Sequence, residues 1–84
     1  MKRSRNEIIS QILEICKNGA SKTKIVYQAN LNFNTVNPYL DLLIKNDLIR
    51  VNEGRAILYE TTPKGIRLLE RIKQVNDRLL DPTK

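Results

Sequence analysis

Apolar side chains recur at helical spacing near the start of the chain. Ile8, Ile12 and Cys16 step by four residues from one another. Side chains at this spacing lie on one face of a helix, which we predict over residues 7–17. Gly19 follows shortly afterwards and supplies the left-handed residue that commonly ends a helix.

Two further helices follow, with a short connection between them. Ser21 is a suitable cap for a second helix that ends near residues 29–30. The third helix has Val36, Leu40 and Leu43 at steps of four and three, which again form one apolar face. A short helix, a tight turn and another helix are typical of a helix-turn-helix unit.

The third helix has two possible starts, because Asn32 and Asn34 are both good capping residues. Pro38 lacks an amide hydrogen, and inside a helix it clashes with the carbonyl four residues earlier. With Asn34 as the cap, Pro38 stands at the fourth helical position, where the missing donor costs little. With Asn32 as the cap, the helix should start irregularly or bend. The sequence leaves both positions open.

The second half of the chain predicts a hairpin followed by a long helix. Two β-prone runs, residues 48–51 and 56–61, flank a polar turn that contains Gly54. Thr62-Pro63 is a strong helix start, and the helix should run to about residue 80, before Asp81-Pro82. A short strand near Ala20 is expected to pair with the hairpin.

Charge and cysteine content indicate the type of partner and the cellular location of the protein. The formal net charge of +6 favours a polyanionic partner, which can be DNA, RNA or an anionic membrane surface. No apolar run is long enough to span a bilayer, and the basic start is not followed by the apolar core of a signal peptide. Cys16 is the single cysteine, which favours a reducing, cytoplasmic location.

Cations surround the third helix instead of lying along it, and they are the candidate contacts to DNA phosphates. Two lie at the start of the second helix, two on the hairpin and three in the first five residues. Arg55, at the hairpin tip, is the strongest candidate for a phosphate or minor-groove contact. The full set is Lys22, Lys24, Arg50, Arg55, Lys2, Arg3 and Arg5.

The start of the third helix carries the candidate base contacts Asn34, Thr35 and Asn37. Asparagine can pair with adenine through two hydrogen bonds, and the threonine methyl can pack on the thymine methyl. This helix has no arginine to bind guanine, so a solvated polar face is an equally good interpretation. We expect the aromatic residues other than Tyr39 to pack in or near the core.

The last helix carries a second apolar stripe. Leu68, Ile72, Val75 and Leu79 step by four, three and four, which is the spacing of a coiled-coil seam. Ile66 and Leu69 lie off this stripe and can pack on the core of the domain. The stripe predicts a homodimer in which two such helices pair antiparallel; the alternative is one wide core in a monomer.

Nothing in the sequence suggests catalysis, and we predict no enzyme activity, no metal site and no cofactor. Histidine is absent, which removes the commonest general base and metal ligand. Cys16 lies on an apolar helix face, where it should pack as a small hydrophobe. The acidic residues are scattered, and no glycine-rich phosphate loop follows a strand. No small-molecule ligand is implied.

The run from Gly19 to Phe33, GASKTKIVYQANLNF, resembles a family of small archaeal winged-helix transcriptional regulators. The resemblance continues through Tyr39-Leu40, Leu43, Leu48-Ile49, Tyr59 and the Thr62-Pro63-Lys64-Gly65 stretch. One branch looks especially similar: crenarchaeal chromatin-type DNA-binding proteins that dimerise through a C-terminal coiled coil. Two features depart from the resemblance: Thr61 stands where the family has an aliphatic residue, and the last helix is shorter than in the chromatin-type branch.

Together these patterns predict a mainly α fold with a small β-hairpin (α+β), a winged helix-turn-helix with an extended C-terminal helix. We divide the chain into a flexible basic arm (1–5), a winged-helix DNA-binding domain (6–62), a dimerisation helix (63–80) and a tail (81–84). The expected function is double-stranded DNA binding by a dimeric, nucleoid-associated transcription regulator or chromatin-like factor. The alternatives are a winged helix that binds another protein and one that binds RNA.

Overall fold

The structure, a computed structural model, describes residues 3–80, and it describes the side chains of residues 3–75. Four helices and one hairpin follow in the predicted order. The elements are α1 (Arg5–Ile15), α2 (Lys22–Ala29), α3 (Phe33–Lys45), β1 (Ile49–Glu53), β2 (Ile57–Thr61) and α4 (Pro63–Leu80). The chain is therefore an α+β winged helix-turn-helix, as the pattern of apolar residues predicts.

Helix α1 begins two residues earlier than predicted, because Ser4 caps it. The Glu7 amide donates to Ser4 Oγ (3.1 Å), and the Ser4 amide donates to Glu7 Oε1 (2.9 Å). This reciprocal capping box satisfies two amides that would otherwise lack partners at a helix start. The prediction of a flexible arm over residues 1–5 was thus wrong for Ser4 and Arg5, whereas residues 1 and 2 lie outside the described part.

Left-handed residues close the connections between helices. Gly19 has φ of 88°, as predicted, although α1 already ends at Ile15. Asn30 after α2 (φ 56°) and Asp47 after α3 (φ 60°) are also left-handed. After α3, the Leu48 amide donates to the Leu43 carbonyl over 2.8 Å, which closes the helix end as in a Schellman motif.

The start of α3 is capped by Asn32. Its Oδ1 accepts the Thr35 amide at 2.8 Å. Pro38 consequently stands at the sixth helical position, inside the helix. It has no amide hydrogen to donate, so the Asn34 carbonyl four residues earlier receives no helical hydrogen bond from it.

The core lies where α1, α2 and α3 meet the base of the hairpin and α4. Each helix contributes its predicted apolar face, including Cys16 at the end of α1. The larger fully buried side chains are Ile12, Leu13, Ile25, Val36, Leu40, Leu43, Ile49 and Leu69. Burial raises the pKa of the Cys16 thiol to about 12, so it packs as a small hydrophobe.

The hairpin is joined to the helices at its base. β1 and β2 pair antiparallel with Ile49 opposite Thr61. Ala20 and Tyr59 exchange two backbone hydrogen bonds (3.0 and 2.8 Å), which confirms the predicted pairing near Ala20. The buried Thr61 hydroxyl donates to the Leu13 carbonyl at 2.7 Å. The polar group that stands in place of an aliphatic side chain therefore has a hydrogen-bond partner.

The junction between the hairpin and α4 is closely packed. Thr62 Oγ1 donates to the Asp47 carbonyl (2.7 Å) and accepts the Gly65 amide (3.0 Å). The Leu48 carbonyl lies so close to Gly65 that a Cβ added there would approach its oxygen to 2.2 Å. Only glycine fits this position without a backbone shift.

Helix α4 packs on α1 and spans the predicted residues. Lys73 Nζ pairs with Glu14 Oε1 across the two helices at 2.8 Å. Leu69 and Ile72 are buried, so the prediction that Ile72 lies on an exposed seam was wrong. Ile72 is three residues after Leu69, and it therefore shares the face that covers the core.

The remaining positions of the predicted seam differ in exposure. Leu68 is half-buried against the core, and Val75 is 54% exposed. The side chain of Leu79 lies outside the described part of the chain. The second apolar stripe is therefore narrower than the sequence predicted.

Candidate nucleic-acid interface

The start of α2 carries two cations beside a capped helix end. Ser21 Oγ accepts the Lys24 amide at 3.2 Å, which fixes the first turn. Lys24 is exposed and Lys22 is half-buried. Cations at a helix N-terminus add to the partial positive charge of that end, and the combination suits an anion such as phosphate.

Lys22 also links α2 to the hairpin. Its Nζ lies 5.8 Å from the centroid of the Tyr59 ring, within the range of a cation–π contact. Because Tyr59 pairs with Ala20 just before α2, the structure brings the start of α2 and the base of the hairpin together.

The two arginines of the hairpin differ in their surroundings. Arg50 Nε pairs with Glu60 Oε1 at 3.3 Å, and Asn52 Nδ2 donates to the same oxygen at 2.9 Å. The hydrogen bond from Asn52, followed by the charge of Arg50, lowers the pKa of the Glu60 carboxyl. Arg55 lies exposed at the tip, beside Gly54, whose Cα has open space around it. Arg55 is thus the more available cation.

The exposed stripe of α3 consists of Asn34, Pro38, Asp41 and Lys45. Of the three predicted base contacts, only Asn34 is fully exposed, because Thr35 and Asn37 are half-buried. The side-chain oxygen of Asn37 is enclosed and has no hydrogen-bond partner. Helix α3 therefore exposes fewer of the predicted base contacts than expected, and its exposed stripe carries no arginine.

The side chain of Arg3 is hydrogen-bonded to α1 and to the end of α2, whereas the sequence predicts that Arg3 lies in a flexible arm. Its Nη1 donates to the Ala29 carbonyl (2.6 Å) and to Gln11 Oε1 (2.8 Å), and Nη2 donates to the Asn30 carbonyl (3.2 Å). A cation on the last carbonyls of a helix is favourable, because these carbonyls carry partial negative charge. Arg5 is exposed in the first turn of α1, and Lys2 lies outside the described residues.

Sequence reasoning missed the exposure of Tyr27 and Phe33. Tyr27 is 84% exposed and Phe33 is 46% exposed, so the expectation that both pack in or near the core was wrong. Tyr27 follows Lys24 by three residues and therefore lies on the same face of α2. A helical projection in which Ile25 and Ala29 point inward would have identified it. Its hydroxyl is a group that commonly donates to phosphate.

Positive charge is unevenly divided along the chain. Residues 1–30 carry six cations and two acids, and residues 63–84 carry six cations and three acids. Between them, residues 31–48 carry one cation and two acids, whereas residues 49–62 carry two of each. The third helix and the hairpin are thus nearly neutral, and the positive charge lies on the elements beside them.

The described residues form neither a membrane-spanning helix nor a metal site. Among residues 3–80, no helix has both the length and the apolar composition needed to cross a bilayer. The described side chains also contain no group of three or more cysteine or acidic residues arranged to hold a metal ion.

Comparison with known proteins identifies relatives for nearly the whole chain. A family model described as winged helix-turn-helix matches residues 2–79. Two uncharacterised proteins of Methanocaldococcus jannaschii are similar. One is 44% identical over all of this chain and 38% of its own length, and the other is 37% identical over 88% of this chain and 74% of its own. The chain thus spans about two fifths of the first relative.

Solved structures share the fold. Sso10a-2, a DNA-binding protein from Sulfolobus solfataricus, has a TM-score of 0.81 and 30% identity over 92% of this chain and 85% of its own. A MarR-family transcriptional regulator from Silicibacter pomeroyi has a TM-score of 0.68 at 20% identity, covering 96% of this chain and 60% of its own. BpsR of Bordetella bronchiseptica has a TM-score of 0.60 at 20% identity, covering 98% and 66%. At this lower identity the last two support the fold alone.

Proposed function

The chain belongs to the winged helix-turn-helix family, and from this premise we propose that it binds double-stranded DNA. The observation that carries the proposal is the likeness to the DNA-binding protein Sso10a-2, which extends over 92% of this chain. The exposed cations at the start of α2 and at the hairpin tip support it. We further propose a role as a transcription regulator or a chromatin-like factor associated with the nucleoid in the cytoplasm.

In the proposed complex, the start of α3 enters the major groove, as the second helix of a helix-turn-helix does. Asn34 is the side chain available for a base edge. Lys22 and Lys24 neutralise phosphates beside that groove, and Arg55 reaches the neighbouring minor groove or backbone. Tyr27 adds a hydroxyl donor next to Lys24. Backbone contacts outnumber base contacts in this arrangement, so we expect weak sequence preference.

A salt titration with random-sequence duplex tests DNA binding. Phosphate contacts release counterions, so the logarithm of affinity should fall linearly with the logarithm of salt concentration. Changing both Lys24 and Arg55 to alanine should weaken binding on all duplexes alike and reduce the slope by about 2. Fluorescence anisotropy between 50 and 400 mM salt measures both quantities.

The matched control removes two cations from another surface, as in Arg67→Ala/Arg71→Ala. This variant loses the same net charge and should keep nearly the wild-type slope. Absence of any salt-dependent duplex binding by the wild type would contradict the proposal. Stronger competition from structured RNA than from duplex DNA would assign the surface to RNA.

We also propose a homodimer that forms through the C-terminal half of α4. Val75 is exposed there, and Leu79 follows it by four residues on the same helix. Pairing of two copies would cover these aliphatic side chains in the C-terminal half of the helix. Sedimentation equilibrium should give twice the mass of one chain, and Val75→Asp should shift the mass toward the monomer. A wild type that stays monomeric at micromolar concentration would refute the dimer.

One observation favours a second function, in which the winged helix binds another protein. The third helix and the hairpin carry almost no net charge, which is unusual for a surface that binds phosphates. A gel-shift titration without duplex binding would favour this alternative. Selection of bound duplexes from a random pool at two salt concentrations would separate a sequence-specific regulator from an architectural factor.

A further inference from the structure

A basic cleft lies between the end of α3 and the first three turns of α4. Its volume is about 430 Å³, within the range of pockets that hold small ligands or single side chains. Its floor is apolar and its walls carry three cations. The lining residues are Asn46, Leu48, Lys64, Arg67, Leu68 and Arg71.

The cations of the cleft differ in how they are used by the fold. Lys64 Nζ donates to the Asn46 carbonyl at 3.1 Å and so closes one end. Arg67 and Arg71 are exposed, and within the described residues they make no hydrogen bond or ion pair. They are one helical turn apart on the same wall, and two guanidinium groups at this spacing can each hold a carboxylate through paired hydrogen bonds.

The cleft also offers apolar surface. Leu48 and Leu68, which line it beside the cations of α4, are both half-buried. A duplex backbone presents charged phosphates joined by deoxyribose rings and has no protruding apolar side chain to seat on these leucines. A peptide can fill the floor with an apolar side chain while its acidic residues contact the arginines.

The position of the cleft separates it from the proposed DNA surface. Helix α3 has twelve residue steps from Phe33 to Lys45, a length of about 18 Å. The exposed base-reading position, Asn34, is at the first end, and the cleft adjoins Asn46 at the other. Both surfaces can therefore be occupied at once.

We propose that this cleft binds an acidic peptide segment of another protein, with one apolar side chain seated on Leu48 and Leu68. Arg67 and Arg71 bind the acidic residues on either side of that anchor. A chain bound to DNA through its other end would in this way bring a partner protein to the same place. The cleft is formed within a single chain, so it is present whether or not the protein dimerises.

Binding is tested with a fluorescein-labelled peptide of twelve residues in which aspartate and leucine alternate. Fluorescence anisotropy should show saturable binding, and amide shifts in an NMR titration should centre on the cleft. Arg67→Ala/Arg71→Ala should lower the affinity for the peptide about tenfold, because two exposed charge pairs are lost. Lys24→Ala/Arg55→Ala loses the same charge from residues that do not line the cleft and should bind the peptide as the wild type does.

Three results would overturn the proposal. Equal loss of peptide affinity in both double variants would mean that net charge, and not the cleft, attracts the peptide. A peptide of aspartate alone that binds as tightly would remove the role of the leucine floor. Loss of duplex affinity or of dimer mass in Arg67→Ala/Arg71→Ala would assign the cleft to DNA or to a second copy. Circular dichroism and thermal unfolding confirm that each variant is folded.

Discussion

Gly65 shows how one residue can determine a junction that no pattern predicts. It stands in the first turn of α4, where alanine would ordinarily favour the helix by up to about 1 kcal/mol. Its Cα, however, faces the backbone carbonyl of Leu48, and that carbonyl also accepts the Thr62 amide at 3.0 Å. The neighbour is backbone and cannot rotate away, so steric conflict outweighs helix propensity.

We therefore expect Gly65→Ala to lower the free energy of unfolding by about 2 kcal/mol, the usual cost of overpacking. Urea denaturation followed by circular dichroism measures the change. Gly54→Ala is the matched control, because nothing lies within 4 Å of a Cβ added there. Its stability should stay within about 0.5 kcal/mol of the wild type. A stabilised Gly65→Ala would show that the chain can relax at Leu48.

The residues that sequence reasoning misplaced differ in how far the local sequence could have placed them. Arg3 is held by hydrogen bonds to the end of α2, and no local pattern indicates these bonds. Tyr27 lies opposite Ile25 and Ala29 on α2, so a helical projection indicates its exposure. The capping signal of Ser4 and Glu7 is likewise present in the sequence.

At the scale of elements, the apolar periodicity, the capping residues and the polar turn at Gly54 together predict four helices and a hairpin in order. Helices are recognised well because their apolar faces repeat over several turns. The face of α4 was harder to assign: Leu69 and Ile72 point into the core, and Ile72 had been placed on the outer stripe. Two apolar stripes lie side by side on this helix, and a small rotation about the helix axis exchanges the one that faces the core. Only the packing against α1 fixes that rotation. The choice between Asn32 and Asn34 likewise required the hydrogen bond to Thr35.

The N-terminal cap of helix α1 should stabilise the protein less in acid. The hydrogen bond from the Ser4 backbone amide, then that with the Ser4 side chain, lowers the pKa of the Glu7 carboxyl below its ordinary value of 4.5. A group whose pKa is lowered in the folded protein stabilises it above the unfolded-state pKa, and this contribution is lost as pH falls through the folded-state pKa.

Thermal midpoints of the wild type and Glu7→Gln test this expectation. The wild type should be more stable at neutral pH, and the difference should shrink as pH falls below 4.5. Glu53→Gln, an exposed change in the hairpin, should show no such convergence. A difference that stays constant down to pH 2 would mean that the carboxylate charge is not what stabilises the cap.

At the scale of the whole molecule, the uneven distribution of charge along the chain determines which cations should contribute to the proposed DNA binding. Arg50 is held by Glu60 and sits in a hairpin without net charge, whereas Lys24 extends from the basic first half. The Glu60 carboxylate beside Arg50 offsets part of the arginine's charge, so a phosphate is attracted less by Arg50 than by a cation without an acidic partner. Counting basic residues along the sequence could not make this distinction, because it depends on the pairing across β1 and β2.

We expect Lys24→Ala to reduce the salt slope of duplex binding by about 1 and Arg50→Ala to leave it nearly unchanged. Parallel anisotropy titrations of the two variants measure the difference. Equal reductions would mean that the Arg50–Glu60 pair opens in the complex. Glu60→Gln, which releases Arg50, should then increase duplex affinity.

The attachment of the hairpin has a mechanical consequence. Its root is held by the Ala20–Tyr59 pair, by Thr61 on Leu13 and by Thr62 on Leu48. At its tip, nothing among the described residues lies within 4 Å of a Cβ added at Gly54. The hairpin is thus anchored at one end only, and a substitution at the tip leaves the hydrogen bonds of the root in place. The tip can therefore vary in sequence while the body of the protein stays the same.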